Sequence, residues 1–441
     1  MKRLFLGLLL AVAAALSAPL AYAQERIATF AVSFKLHLKA YGYILSLHLE
    51  NWMARQGLIL GVNTITNLIP TMYEALDVVS REQVGFISAV SRNSGLARVA
   101  LNQTVNIPIV PPIVGGNVTP GATPPNDGDA VFGNTTMTIS KSRYWPVRWN
   151  GEEQLAVSSS GMYPNVIRDQ FAQAFRAACN EIEVDLAALY VASSRSFGTA
   201  GAAPFATNAV FTDFAGVLRI LEDNGAPGDK QLVLGSAAIA NIRGIQSILF
   251  KANEAGTSDL LRQGIIGQVE GLNIHNSSAI RPVAVGTGAA YTSTNAGFPI
   301  GTTSIPIITG AGTVLAGDNI TFAGDTNIYV VTTGVAAPGT ITIGAPGLRV
   351  AIPAVATAMA IGAISTRNMG FARSAIQLAT RAPALPEGGD MADDRTFVTD
   401  PITGLSFEVS LYRQYRQVKY EVAMAWGQKM VTPAHSMNLL G

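Results

Sequence analysis

A chain of 441 residues is long enough for two or three domains with cores of their own. Only 13 % of it is charged and 49 % is hydrophobic, where about 25 % charge is usual, so much surface must be hidden in an assembly or a membrane. A net charge of +1 argues against broad electrostatic binding to nucleic acid, and beyond the N-terminus no uncharged apolar run reaches the roughly 18 residues of a membrane helix. Assembly is therefore the reading, with no stable membrane association. The single Cys179 cannot form an internal disulfide and is expected to be a small buried hydrophobe. His37, His48, His275 and His435 show no metal-ligand spacing, and no cofactor is expected.

Residues 1–23 have the form of a secretory signal: Lys2-Arg3, an apolar run from Leu4 to Leu16, and Ala21-Tyr22-Ala23 before Gln24, giving a cleavage point between Ala23 and Gln24. Residues 24–52 follow without periodicity or turn logic. A segment that makes structural sense begins at Met53, so a second reading places the true start there. Export and a misassigned start both stand, and the rest of the chain favours the second.

From Thr66 to Arg92, Ile69, Met72, Leu76, Val79, Phe86 and Val90 recur at helical spacing. Pro70 fits only a first turn, which puts the start near Asn67, and Gly85 is expected to weaken or break the helix. Arg98 to Ile109 and Asn134 to Trp149 alternate as strands. The Pro/Gly/Asn-rich loop between them makes a long hairpin arm, 98–153. Asp127 and Asp129 lie near its tip; Lys141, Arg143 and Arg148 sit on the return strand. All five are candidates for contacts with a neighbouring copy. Glu152-Glu153 is read as the hairpin base.

The segment Pro164 to Arg195 dominates the chain. Ile167, Phe171, Phe175, Ala178, Ile182, Leu186 and Leu189 are spaced 4, 4, 3, 4, 4 and 3, one seam of a helix of roughly thirty residues, about 45 Å long. Arg168, Asp169, Arg176, Glu181, Glu183 and Asp185 are placed on its opposite side. A helix over Val210–Asp223, a buried strand over Gln231–Leu234, a helix from Ser236 and an extended Gly264–His275 complete an α+β block, 154–285. The glycine spacing at Gly264 is not the dinucleotide fingerprint.

Composition then breaks. Residues 286–363 hold only Asp318, Asp325 and Arg349 as charges and no lysine, with short β runs, the pattern of an inserted small all-β barrel. In 364–441, a strand from Phe371 is followed by an alternating pair. Leu405, Phe407, Val409 and Leu411 oppose Ser406, Glu408, Ser410 and Tyr412. Val418, Tyr420, Val422, Met424 and Trp426 form one face of a second strand ended by Gly427. The pair is expected to pack by one face on the long helix. No catalytic constellation is found, and no enzyme is expected.

Four segments, TNLIPTMYEALDVVSREQVGF, the TPPNDGD…TISKSR…VRWNGEE hairpin, FRAACNEIEVDLAALY and LSFEVSLYRQYRQVKYEVAMAWG, stand in an order that resembles the major capsid protein of tailed phages. The likeness is to the branch of short-tailed-phage coat proteins with an inserted β-domain and covers about Met53 to Gly441. It implies an α+β, HK-ninety-seven-like capsid fold with a long spine helix, an extended β-hairpin arm and an inserted domain, and 53–97 becomes the N-terminal arm. It also implies a homo-oligomer of many copies, assembled in the host cytoplasm into an icosahedral virion shell around double-stranded DNA, with a scaffolding protein and a portal as partners. On the resemblance, Glu181 and Asp185 join the candidate intersubunit contacts. The alternatives are an exported β-rich surface or periplasmic binding protein, and a bacterial nanocompartment shell.

Overall fold

The computed structural model describes residues 68–441 except 96, 110–114, 116, 119, 121–132, 159–162, 208–209, 246–266 and 402, all within one compact unit, Ile65–Gly441. Ala23, Gln24, Met53, Asp127 and Asp129 lie outside the described residues. Helix α1 (Ile69–Gln83) takes Pro70 in its first turn, where the missing N–H costs nothing. It stops at Val84, and a single turn, α2 (Phe86–Ala89), follows. Gly85 separates them because a Cβ there would lie 2.5 Å from the Asn276 carbonyl.

Strand β1 (Ser91–Ser94) leads to β2 (Thr104–Ile109), which pairs antiparallel with β3 (Gly133–Thr138) as the base of the arm. The strand expected from Arg98 is shorter, since Asn102 adopts φ 67° and the Gln103 side chain turns back to the Ala100 N–H. The expected return strand is split in two. Ile139 N–H still bonds Gln103, but Ser140 N–H bonds Trp426, and β4 (Lys141–Asn150) changes to a new partner. Glu152-Glu153 is not a strand end. It opens helix α3 (Gly151–Ser158), capped reciprocally by Asn150 Oδ1 to Glu153 N (2.7 Å) and Glu153 Oε2 to Asn150 N (3.2 Å).

The long helix, α4, spans Tyr163–Ala187, 25 residues, and tightens into a 3₁₀ turn over Ala188–Ala192. It ends short of Arg195 because tertiary donors capture the chain: Asn438 Nδ2 takes the Tyr190 carbonyl, and Ser194 N–H bonds Ser436. From there β5 (Arg195–Phe197), α5 (Thr212–Asp223), β6 (Lys230–Leu234), α6 (Ser236–Ile245), β7 (Gln268–Val269), β8 (Leu272–Asn276) and β9 (Pro282–Val283) form the mixed block. Then come β10 (Ala289–Ser293), β11 (Ser304–Ala311), β12 (Asn319–Phe322), β13 (Ile328–Thr333), β14 (Gly339–Ile343) and β15 (Met359–Ile361). The chain closes with β16 (Ser365–Ala372), β17 (Ile376–Arg381), β18 (Asp394–Thr399), β19 (Ser406–Gln414), β20 (Gln417–Met430) and β21 (Ser436–Leu440). The architecture is α+β.

Two sheets organise these strands. The first runs β1–β17–β20–β19–β18, with β4 on the free edge of β20. The second runs β10–β11–β14–β13–β5–β21–β16–β6–β8–β7. The strand expected from Phe371 is therefore two strands in different sheets, parted by a 3₁₀ turn at Arg373–Ala375. β10 to β15 surround their own core of Tyr291, Ile305, Ile320, Tyr329, Val331 and Ile341, and a bridge between Thr292 and Ala358 draws the first and last together. Yet β13 also pairs with β5, so this sheet continues into the main body.

Helix α4 buries Ile167, Phe171, Phe175, Ala178, Ile182 and Leu186 between α1 (Met72, Leu76, Val79) and one face of the first sheet. Phe171 meets Tyr420 edge-on at 5.6 Å and Phe175 meets Phe407 at 5.1 Å. The other face of the sheet is covered too. Val99, Ile107, Met137 and Ile139 of the arm base lie on Ala379 and Ala425. Gly427 does not end β20. It permits the crossing, since a Cβ there would sit 2.2 Å from the Thr138 carbonyl.

Replacing Phe175, fully buried at the centre of this contact, by alanine should cost about 3–5 kcal/mol in urea unfolding. A loss under about 1 kcal/mol would contradict its placement.

Candidate functional site

Strand β4 turns alternate side chains toward α4, and the scarce charges gather there. Lys141 Nζ lies 2.8 Å from Asp185 and 3.2 Å from Glu181; Arg143 Nε lies 3.4 Å from Glu181. Trp426 donates its indole N–H to Asp185 Oδ2 at 2.9 Å, stacks on Trp145, and lies under the Lys141 ammonium. Burial pulls the Lys141 pKa down, but the hydrogen bonds that it donates to Asp185 and Glu181, and their charge, outweigh it and leave it raised. Lys141, Arg143, Glu181 and Asp185, expected to meet a neighbouring copy, thus find their partners within the chain. Arg148, on the opposite face of β4, is exposed and borders a groove of about 560 Å³ with Trp145, Val166, Asp169, Gln170 and Gln173.

Two carboxylates read from spacing as solvent-facing are buried. Glu183 on α4 is 2 % exposed; it accepts from Phe86 N (3.1 Å), Ile87 N (3.0 Å) and Ser277 Oγ (2.8 Å). Burial raises its carboxyl to about 7, against the downward pull of those donors. A signal was present: Glu183 follows Phe175 and Cys179 at steps of four, so it lies on a widened apolar face. Glu408 is 4 % exposed and takes two bonds from Arg98 (2.8 and 3.0 Å) and one contact from Arg395 at 2.6 Å. No spacing rule points to that triad.

The remaining chemistry is sparse. Cys179 is buried, and burial pushes its thiol up to about 12, far from nucleophilic use. Among the described residues, no group of three or more His, Cys, Asp or Glu is arranged around a metal-sized site, and no helix is long and apolar enough to cross a membrane. Within 286–363, Asp318 is buried under the Gly286 and Leu315 amides, and Asp325 accepts from Tyr329 and Asn327. That block also exposes Ile300, Val350 and Val355, close in sequence to the Phe298–Ile352 bridge.

No protein-family model and no curated protein matches the chain. Among solved structures it is similar to one of Mycobacterium phage Che8 (14 % identity, 77 % of this chain and 84 % of that chain, TM-score 0.38). It is also similar to the capsid of cyanophage P-SCSP1u (10 % identity, 81 % and 88 %, TM-score 0.42). A third is the virus-like particle from Pyrococcus furiosus (8 % identity, 84 % and 98 %, TM-score 0.38).

Asp185→Asn keeps an acceptor for Trp426 and loses the ion pair, so it should cost about 0.5–1 kcal/mol; Asp185→Ala, which loses both, should cost about 2 kcal/mol. Equal losses on denaturant unfolding would show that the indole bond contributes nothing.

Proposed function

We propose that this chain is the major capsid protein of a tailed phage or prophage, a structural subunit without catalytic activity. Many copies close into an icosahedral shell around double-stranded DNA. The observation that carries the reading is the arrangement around α4: arm helix on one side, strand pair on the other, hairpin base across the back of the sheet, and an inserted β-block in the same chain order that the resemblance implies. The charge economy agrees with it. Lys141, Arg143, Arg98 and Arg395 are matched to carboxylates within the chain, so these four would bring no unpaired charge to a contact between copies. On this reading the DNA is confined rather than read, consistent with a net charge of +1.

Arg148 and the arm-tip residues Asp127 and Asp129 are the contacts proposed between copies. Glu181 and Asp185 instead hold β4 on α4, so they would act on assembly through the seat of the arm. The uncharged block 286–363 is proposed as the inserted domain, and a scaffolding protein and a portal as further partners. Assembly is placed in the host cytoplasm, followed by residence in the virion.

The test is electron microscopy of the full chain, purified alone and after co-expression with the genes flanking it. Closed shells of uniform diameter are expected in at least the second preparation. Uniform monomers in both at high concentration would overturn the reading. If shells form, Arg148→Glu should lower their yield severalfold while leaving the subunit's unfolding free energy in urea within about 0.5 kcal/mol of the parent.

A further inference from the structure

Glu183 is a buried carboxylate for which the shell reading supplies no use. It projects from α4 into the start of α2, and three distant parts of the sequence meet on it: Phe86 and Ile87, Glu183 itself, and Ser277 just beyond β8. Oε1 takes the Ile87 amide; Oε2 takes the Phe86 amide and the Ser277 hydroxyl. Among the described residues no cationic side chain hydrogen-bonds it. Glu408, by contrast, has two arginines.

The surrounding titratable and charged groups are few. Cys179, one turn back on α4, has its thiol pushed up by burial and is neutral. His275 on β8 turns to Ser88 Oγ (3.2 Å) and Gln231 Oε1 (2.8 Å), not to the carboxylate. Burial and then Arg373 lower it, so it is neutral at and above neutrality. Arg373 is paired with Asp229 at 3.1 Å; Arg92 is lowered by burial and then by Arg373, against the pull of Asp400, which also reaches Cys179. α2 itself, Phe86–Ala89, carries no titratable side chain.

The seat is tight. Phe86 stacks on Phe371 with ring centroids 6.4 Å apart and 6° between planes, and Gly85 passes against the Asn276 carbonyl. α2 therefore leaves its place as a unit or not at all, and α1 is tied to the body next to it.

We propose that α2, and through it the arm helix α1, is held by a proton-dependent latch that is seated when Glu183 is neutral and loosened when it is ionised. In the neutral form Oε2–H donates to Ser277 Oγ, which already accepts the Ala279 amide at 3.3 Å, and both α2 amides keep their acceptors. In the ionised form an anion sits in an apolar seat without a counter-charge. The sign follows from linkage. The seated carboxyl lies at about 7 and the released one returns to about 4.5, so the seated state binds the extra proton. Its contribution is complete below about 4.5 and is lost as pH rises through about 7, a change on the order of a hundredfold in the seating equilibrium.

Hydrogen–deuterium exchange on the full chain, corrected for the intrinsic pH dependence of exchange, tests this independently of whether shells form. Between about pH 5.5 and about pH 8.5, protection of peptides covering 86–90 should fall tenfold or more, while peptides covering 407–411 keep theirs. Glu183→Gln, which cannot ionise, should flatten the profile. Constant protection of 86–90 in the parent, or the same fall in Glu183→Gln, would each overturn the latch. Should Glu183→Gln fail to fold, the parent profile, with peptides covering 407–411 as its internal reference, decides it.

Discussion

The described fold is arranged around the contact of Phe171 and Phe175 with Tyr420 and Phe407. Each fully buried aromatic side chain is worth about 1.5–3 kcal/mol of transfer, and the ring geometry adds to that. The seam that carries them has α1 on one side and the first sheet on the other, so the helix cannot tilt without opening two interfaces at once. The arm depends on it at one remove. β4 is paired along β20 and drawn to α4 by Lys141 and Trp426, which fixes the direction in which β3 and β2 leave the body.

The distribution of charge follows from the same constraint. A chain with 13 % charged residues has few to spare, and several are spent inside the fold. Exposed ion pairs contribute little to stability, about 0–1 kcal/mol, so the Lys141–Asp185 contact serves position more than strength. Glu408 is different, because a buried carboxylate without Arg98 and Arg395 would carry its full desolvation cost. Among the described residues Glu183 has no such partner, and that asymmetry with Glu408 is what makes one structural and the other a candidate for regulation.

Much of this was legible in the sequence. The steps of three and four from Ile167 to Leu186 gave the long helix and its buried face; alternation gave β19 and β20, and the charge break gave the β-rich block from Gly286. What was missed has a common cause. Alternation tells which side chains share a face but not what covers the other face, and here Arg98 and Arg395 lie against it, so Glu408 and Ser410 are inside. Strand ends misread at Ser140, Ala372 and Gly427 are places where the chain changes partner or lets another backbone cross, events set by distant residues. The end of α4 at Ala187 likewise depends on Asn438, 248 residues away from the Tyr190 carbonyl that it captures. Glu183 was misplaced by treating the apolar seam as one residue wide.

The central claim is that this subunit exists to make a closed shell. Charge-detection mass spectrometry of native particles from co-expressed material measures that most directly. The account predicts one or a few sharp species at large multiples of the subunit mass, with nothing intermediate persisting between them and the free subunit. A distribution that ends at monomers or small oligomers, at concentrations where the chain is folded, would contradict it.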